Sequence, residues 1–235
     1  MSDTVKTRSY QITLGDGQTL SAAAAVPPHF RRNDTPGVVL AHGAGSSMSH
    51  PFMVGVQQGL ATAGYLVLTF NFPYAERGRW PPDRRPVLET AYTRVLEWLD
   101  CHRTLRPGAV VIGGKSLGGR IASHVAAAGA PVAGLLYLGY PLHPPGKPDR
   151  LRADHLGDIA QPMLFVAGTR DALCNLARFR AVVDALGARA TVCMIEGGDH
   201  SFRVLKRLGR SDADVLAEIV EASVSWMQSI RKRAG

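Results

Sequence analysis

A chain of 235 residues with 46% hydrophobic and 20% charged side chains can bury a full core and is most simply one domain over residues 1–235. No apolar run approaches a membrane span, the opening MSDTVKTRSYQ lacks a secretory apolar segment, and the three cysteines (Cys101, Cys174, Cys193) lack metal-like spacing, so a cytoplasmic protein without membrane association is expected. The net charge of +8 raises a nucleic-acid partner, but the arginines are scattered rather than striped with aromatics, so no specific nucleic-acid partner is expected.

Residues 5–14 and 18–26 read as two strands joined by a hairpin turn at Gly15-Asp16-Gly17. A loop rich in turn formers, residues 26–37, leads to the short apolar run VVLAHG at 38–43, a buried strand that stops at glycine. Residues 51–63 form a helix closed by Gly64, and YLVLTFNF at 65–72 is the next buried strand. The proline- and arginine-rich stretch 73–86 reads as loop, and residues 87–101 carry apolar groups at helical spacing. The strand AVVIGG precedes a helix over 117–128, and VAGLLYLG at 132–139 is another strand. PMLFVAG at 162–168 is a strand, 173–186 a helix ended by Gly187, and TVCMIEGG at 191–198 the last strand. A final helix runs from about residue 213 into the tail Arg231-Lys232-Arg233, whose charge suits the negative end of the helix dipole. Strands alternating with helices predict an α/β fold, a mostly parallel sheet covered on both faces, with ligands beyond the carboxyl ends of the strands.

Gly114-Lys115-Ser116-Leu117-Gly118 places a serine between glycines directly after a buried strand. In a sharp strand-to-helix corner the serine backbone is strained, and side chains two residues to either side would clash; glycines there remove the clash and push the serine oxygen outward. Serine needs a base to take its proton, and the base needs an orienting carboxylate. Asp171 follows the strand MLFVAG and His200 follows TVCMIEGG, so the chain order is serine, acid, histidine, each just past a separate strand. Asp171 has an alternative use as a helix cap, and Asp199 is the rival orienting acid, although adjacent side chains on a turn diverge. An oxyanion needs two N–H donors; Leu117, following the serine, should supply one, and the loop after the strand VVLAHG the other. His42 is read as a structural residue of that loop. Lys115 is either a surface-directed elbow side chain or a contact to a substrate anion. Asn71, Tyr74 and Arg77 follow another strand end and are candidates for the pocket lining. Met48 and Phe52 are candidates for an apolar wall, His143 sits in a stiff Pro-rich loop (140–149) that overhangs the site, and His124 is read as packing or solvent-facing.

These segments resemble an α/β-hydrolase over nearly the whole chain, and within that fold the small, lidless, dienelactone-hydrolase-like branch. LAHGAG, NFPY, GGKSLGGR, GYPLHPPGKPDRLR and GGDHSF are more similar still to the testis-expressed hydrolase-like family, which has a relative serving as a subunit of a histone-acetyltransferase complex. The resemblance implies an eight-stranded sheet, no large lid domain, Ser116 as nucleophile, Asp171 as acid and His200 as base, and by the fold's pattern the second oxyanion donor is Ala44, with its neighbour Gly43 as second choice. True dienelactone hydrolases carry cysteine at the elbow; Ser116 departs from that, so their substrate does not carry over. The expected activity is hydrolysis of a small-molecule ester, or of a thioester or amide, through an acyl-enzyme, with Gly43, Tyr74, Lys115 and His143 near the substrate and no metal or organic cofactor. The rival is a non-catalytic interaction protein on the same scaffold; the oligomeric state is open.

Overall fold

Alternation in the first two strands and unbroken apolar runs in the later ones build one eight-stranded sheet in the order β1-β2-β4-β3-β5-β6-β7-β8. The computed structural model describes residues 4–234; residues 1–3 of the polar opening stretch and the side chain of Arg233 lie outside the described residues. Strands β1 (Lys6–Thr13) and β2 (Thr19–Val26) form the antiparallel hairpin, in register from Lys6 opposite Val26 to Thr13 opposite Thr19. At its turn Asp16 Oδ1 accepts the Gln18 N–H at 3.0 Å, the local side-chain bond that favours aspartate in turns. Strand β2 also pairs antiparallel with β4 (Leu66–Phe70). From β4 onward every pairing is parallel, through β3 (Gly37–Ala41), β5 (Val110–Lys115), β6 (Gly134–Leu138), β7 (Met163–Gly168) and β8 (Ala190–Ile195).

Parallel strands need crossovers, and those crossovers cover both faces of the sheet. Helices α1 (Pro51–Thr62) and α6 (Asp212–Ala234) close one face; α3 (Arg85–Cys101), α4 (Leu117–Ala127) and α5 (Leu176–Leu186) close the other. The period-2 alternation of strand side chains divides the core accordingly. In β3, Val38 and Leu40 join Met53, Leu60, Ile219 and Trp226 in one layer. Val39 and Ala41 join Tyr92, Ile121, Val125 and Phe179 in the other. Among the described residues no helix is long and apolar enough to cross a membrane.

Three local expectations need correction. The stretch 73–86 is not all loop: Pro73 starts a short helix α2 (Pro73–Glu76), since proline's fixed φ suits a first helical turn. Helix α5 begins at Leu176 rather than at 173, because Asn175 Oδ1 accepts the Arg178 N–H at 3.0 Å and caps it there. Strand β8 stops at Ile195, short of the glycine pair at 197–198. Residues 139–162, between β6 and β7, contain only a 3-10 turn, Asp154–Asp158, so no large lid covers the strand ends.

One buried hydroxyl ties this frame together near its centre. Tyr92, fully buried on α3, places its hydroxyl 2.7 Å from the Val39 carbonyl and 2.8 Å from the Gly113 carbonyl, and accepts the Gly113 N–H at 3.0 Å. It thus bridges β3 and β5 just before the chain turns into α4. Tyr92→Phe strands a buried N–H and a buried carbonyl, which is expected to lower stability by about 1–3 kcal/mol. Urea denaturation of parent and variant tests this; equal midpoints would contradict the bridge.

Candidate active site

The carboxyl ends of six neighbouring strands, β4, β3, β5, β6, β7 and β8, lie at one end of the sheet, and the turns after them carry the groups described below. The central one is the turn from β5 into α4. Ser116 has φ 49° and ψ −110°, a left-handed conformation that costs a non-glycine residue roughly 1–3 kcal/mol. The corner is held because α4 sits almost on top of β3. A Cβ at Gly114 or at Gly118 would stand 2.1 Å from the Ala41 carbonyl oxygen, a distance no side chain tolerates. The Ser116 N–H donates to the Leu138 carbonyl of β6 at 3.1 Å, and its own carbonyl accepts the Arg120 N–H at 3.1 Å.

The turn after β8 brings His200 over the serine: Nε2 lies 2.8 Å from Ser116 Oγ. On the far side of the ring, Nδ1 lies 2.8 Å from Asp171 Oδ2. The Asp171 side chain is fully buried, whereas that of His200 is 25% exposed, so the ring can be reached from solvent and its carboxylate cannot. Asp171 Oδ1 accepts the Leu173 N–H at 2.8 Å, so both carboxylate oxygens are engaged and the acid is fixed. It does not cap α5; Asn175 does. Asp199 turns away from the ring, its Oδ1 accepting the Ser201 and Arg203 N–H groups at 2.8 and 2.9 Å. Serine, imidazole and buried carboxylate in one hydrogen-bonded line is the arrangement in which a serine proton passes to a ring that the carboxylate orients.

The loop after β3 faces Ser116. His42 is buried, its Nε2 accepts the Phe72 N–H at 3.1 Å, and Nδ1–H therefore donates to the Gly43 carbonyl at 2.8 Å. Burial holds its pKa below the ordinary histidine value, so the ring is neutral and the tautomer is set. The Tyr74 hydroxyl donates to the same Gly43 carbonyl at 3.2 Å. Because the peptide is planar and trans, two donors on the Gly43 carbonyl also fix the Ala44 N–H, which points the opposite way. Among the described residues, neither the Ala44 N–H nor the Leu117 N–H has a hydrogen-bond partner. Tyr74 is 2% exposed, and burial pushes its phenol up to about 12; it supports the loop from beneath rather than lining a surface.

Three further side chains brace the site. Both ring nitrogens of His143 are used: Nε2 accepts the Asn175 N–H at 3.1 Å and Nδ1 faces the Pro144 carbonyl at 3.0 Å. His143 therefore ties the Pro-rich loop to the segment that carries Asp171. Lys115 runs beneath the histidine turn, donating from Nζ to the His200 carbonyl at 2.5 Å, with Nζ 5.0 Å from the centre of the Phe202 ring. Gly139 makes room for it, since a Cβ there would stand 2.9 Å from Nζ. Phe202 in turn stacks on Phe52, centroids 5.5 Å apart. Asn71 Oδ1 accepts the Met48 N–H at 2.8 Å, and Arg77 pairs with Asp83 at 2.6 Å and donates to Gln18 Oε1 at 2.9 Å, so both side chains tie loops together. Trp80, which sequence reasoning overlooked, is 68% exposed and lies against Gly45, its ring 3.3 Å from where a Cβ there would sit. The signal was present as a lone tryptophan in a loop. Among the described residues no three His, Cys, Asp or Glu side chains gather as a metal site.

Burial pushes the Lys115 ammonium down to about 8, against the opposing pull of Asp171 and Asp199. The unfolded chain keeps this proton up to about pH 10.4 and the folded chain releases it near 8. Burial of the charge therefore weighs against folding below pH 8, and that penalty lifts as pH rises through this window. The stability difference between the parent and Lys115→Met is expected to shift in the parent's favour from pH 7 to pH 10. Thermal melts across that range test it, and a difference independent of pH would contradict the buried ammonium.

Residues 34–228 match the model of the alpha/beta hydrolase domain family. Among solved structures the chain is similar to a dienelactone hydrolase from Anabaena variabilis, with 21% identity over 96% of this chain and 98% of that one, TM-score 0.77. It is similar also to an alpha-beta serine hydrolase homologue from Coxiella burnetii, 21% identical over 93% and 96%, TM-score 0.73. A serine hydrolase without a lid from Xanthomonas campestris is 20% identical over 92% and 94%, TM-score 0.68. At these identities the likeness is one of fold.

Proposed function

The chain belongs to the alpha/beta hydrolase domain family, and we propose that it is a serine hydrolase, a single domain that cleaves carboxylic esters of small, accessible substrates through an acyl-enzyme. The observation that carries this reading is the line Ser116–His200–Asp171, with both hydrogen bonds at 2.8 Å. Ser116 Oγ attacks the ester carbonyl as its proton passes to His200 Nε2, and the carbonyl π electrons move onto oxygen. The Ala44 and Leu117 N–H groups, free of other partners, receive that oxyanion. Collapse of the tetrahedral adduct expels the alcohol, which takes the proton from His200. Water, deprotonated by the same ring, then attacks the acyl-serine and releases the acid. Asp171 stays ionised and holds the imidazole. The reaction calls on no metal and no organic cofactor.

Specificity follows from the rim. With Ala44 and Gly45 exposed and Trp80 beside them, the site suits short acyl groups that press on one aromatic surface. Thioesters and amides are the related bonds it would meet next. Lys115 and His143 act as braces of the histidine and aspartate turns and not as substrate contacts. The segments GGKSLGGR, GYPLHPPGKPDRLR and GGDHSF support placing the chain beside the testis-expressed hydrolase-like branch. Three unpaired cysteines support a reducing, cytoplasmic location.

Steady-state kinetics on p-nitrophenyl acetate, butyrate and octanoate test the proposal. The two short esters should turn over fastest, and Ser116→Ala should lower kcat by at least about 1,000-fold. Asp171→Asn is expected to cost up to about 10,000-fold, since it presents the wrong tautomer to the serine. A Ser116→Ala protein that hydrolyses these esters at the parent rate would refute the reading.

A further inference from the structure

Helix α4 carries a second set of polar side chains past Ser116. Arg120 follows the serine by one turn and His124 by two. They open onto a cavity of about 520 Å³ between the start of α3, α4 and the 3-10 turn Asp154–Asp158. Its lining is Arg85, Arg120, His124, Arg152, Asp154 and His155. None of the residues assigned to ester cleavage borders it.

Its charges are poorly matched. Three guanidinium groups line the cavity, against Asp154 on its wall and Glu89, which pairs with Arg85 at 3.2 Å. Asp158 acts on His155 beside Asp154, and Arg150 acts on Arg152, so the wall carries both signs while the three guanidiniums gather at the cavity. Arg120 Nε is buried and has no hydrogen-bond partner, and among the described residues neither Arg120 nor Arg152 forms an ion pair. A buried, unpaired N–H on a cation is costly unless something accepts it. The two histidines offer no negative charge: their rings stack at 3.7 Å. Burial, the neighbouring ring and the arginines push His124 down to about 4, so it is neutral at pH 7.

The lining is also held in place. Ser123 Oγ donates to the Arg120 carbonyl at 2.6 Å and lies 2.7 Å from His155 Nε2. With the serine proton committed to that carbonyl, His155 Nε2–H is the donor to Ser123 Oγ. The Tyr140 hydroxyl donates to the Arg152 carbonyl at 2.7 Å, and the Arg152 N–H donates to the Leu142 carbonyl at 2.8 Å. The backbone at Arg120 and Arg152 is therefore anchored beside the cavity, while their guanidinium groups keep their donors for a ligand.

We propose that this cavity is a binding site for a phosphoryl group, held by Arg85, Arg120 and Arg152. The guanidiniums come from three different elements, α3, α4 and the segment before the 3-10 turn. Donors arriving from three directions fit the tetrahedral oxygens of a phosphate better than the two coplanar oxygens of a carboxylate. The ligand is free phosphate or the phosphate of an organic monoester; the recognition chemistry is the same.

Isothermal titration calorimetry of the full chain with sodium phosphate, at constant ionic strength set with sodium chloride, tests the site. One phosphate per chain should bind, and sodium acetate should bind at least about tenfold more weakly. Arg152→Gln and Arg85→Gln, each checked for folding by its melting curve, should each weaken phosphate binding by about tenfold. Ser116→Ala should bind phosphate as the parent does, which keeps this site distinct from the ester-cleaving one whether or not that reading holds. Phenyl phosphate separates the two sources: tighter binding than inorganic phosphate indicates a monoester, equal binding the free anion. No binding up to about 10 mM phosphate, binding untouched by both arginine substitutions, or binding abolished by Ser116→Ala would overturn the proposal.

Discussion

The close approach of α4 to β3 is the constraint on which the rest of the site depends. Gly114 and Gly118 both face the Ala41 carbonyl, where a Cβ would come within 2.1 Å. Only with both side chains absent can the chain leave β5, turn at Ser116 with positive φ, and enter a helix that lies against the next strand. That corner lifts Ser116 Oγ off the sheet and leaves the Leu117 N–H beside it without a helical partner. It also puts the serine next to the turn that follows β3, where a Cβ on Gly43 would stand 3.7 Å from the Ser116 Cβ.

Around this corner the sheet supplies rigidity through buried polar side chains that bond to the backbone. Tyr92 spans β3 and β5; His42 and Tyr74 both hold the Gly43 carbonyl; His143 joins the Pro-rich loop to the aspartate turn. Lys115 reaches the histidine turn from below. Each of these groups would cost stability if left unsatisfied; Tyr92 is satisfied by two strands and the others by turns that have to stay in place. The strain stored at Ser116 is thus offset by contacts in neighbouring turns, in keeping with the general expectation that functional sites break local rules and are supported elsewhere.

Much of the fold could be read from sequence because its signals are local. Apolar runs ending in glycine mark the parallel strands, and helical spacing marks α3 and α6. Serine, aspartate and histidine each follow a different run, so the topology alone sets them at one edge, and the structure brings Ser116, His200 and Asp171 into line. The bracing could not be read, since Tyr74 to Gly43, His143 to Asn175 and Lys115 to His200 join residues far apart in sequence. Pro73 and Asn175 show a different limit. Each is a good helix starter, but competing turn signals (several prolines in one case, Asp171 in the other) pointed to other boundaries. His124 looked like a packing residue; only the fold brings it to His155 and three arginines.

The most direct measurement is intact mass of the folded protein after treatment with a fluorophosphonate, beside a Ser116→Ala variant. Phosphonylation needs a serine whose proton has somewhere to go and an accessible oxyanion site, which are the two things the proposed mechanism requires. The account predicts a single adduct on the parent and none on the variant. A parent that stays unmodified, or a Ser116→Ala protein that takes up the same adduct, would contradict it.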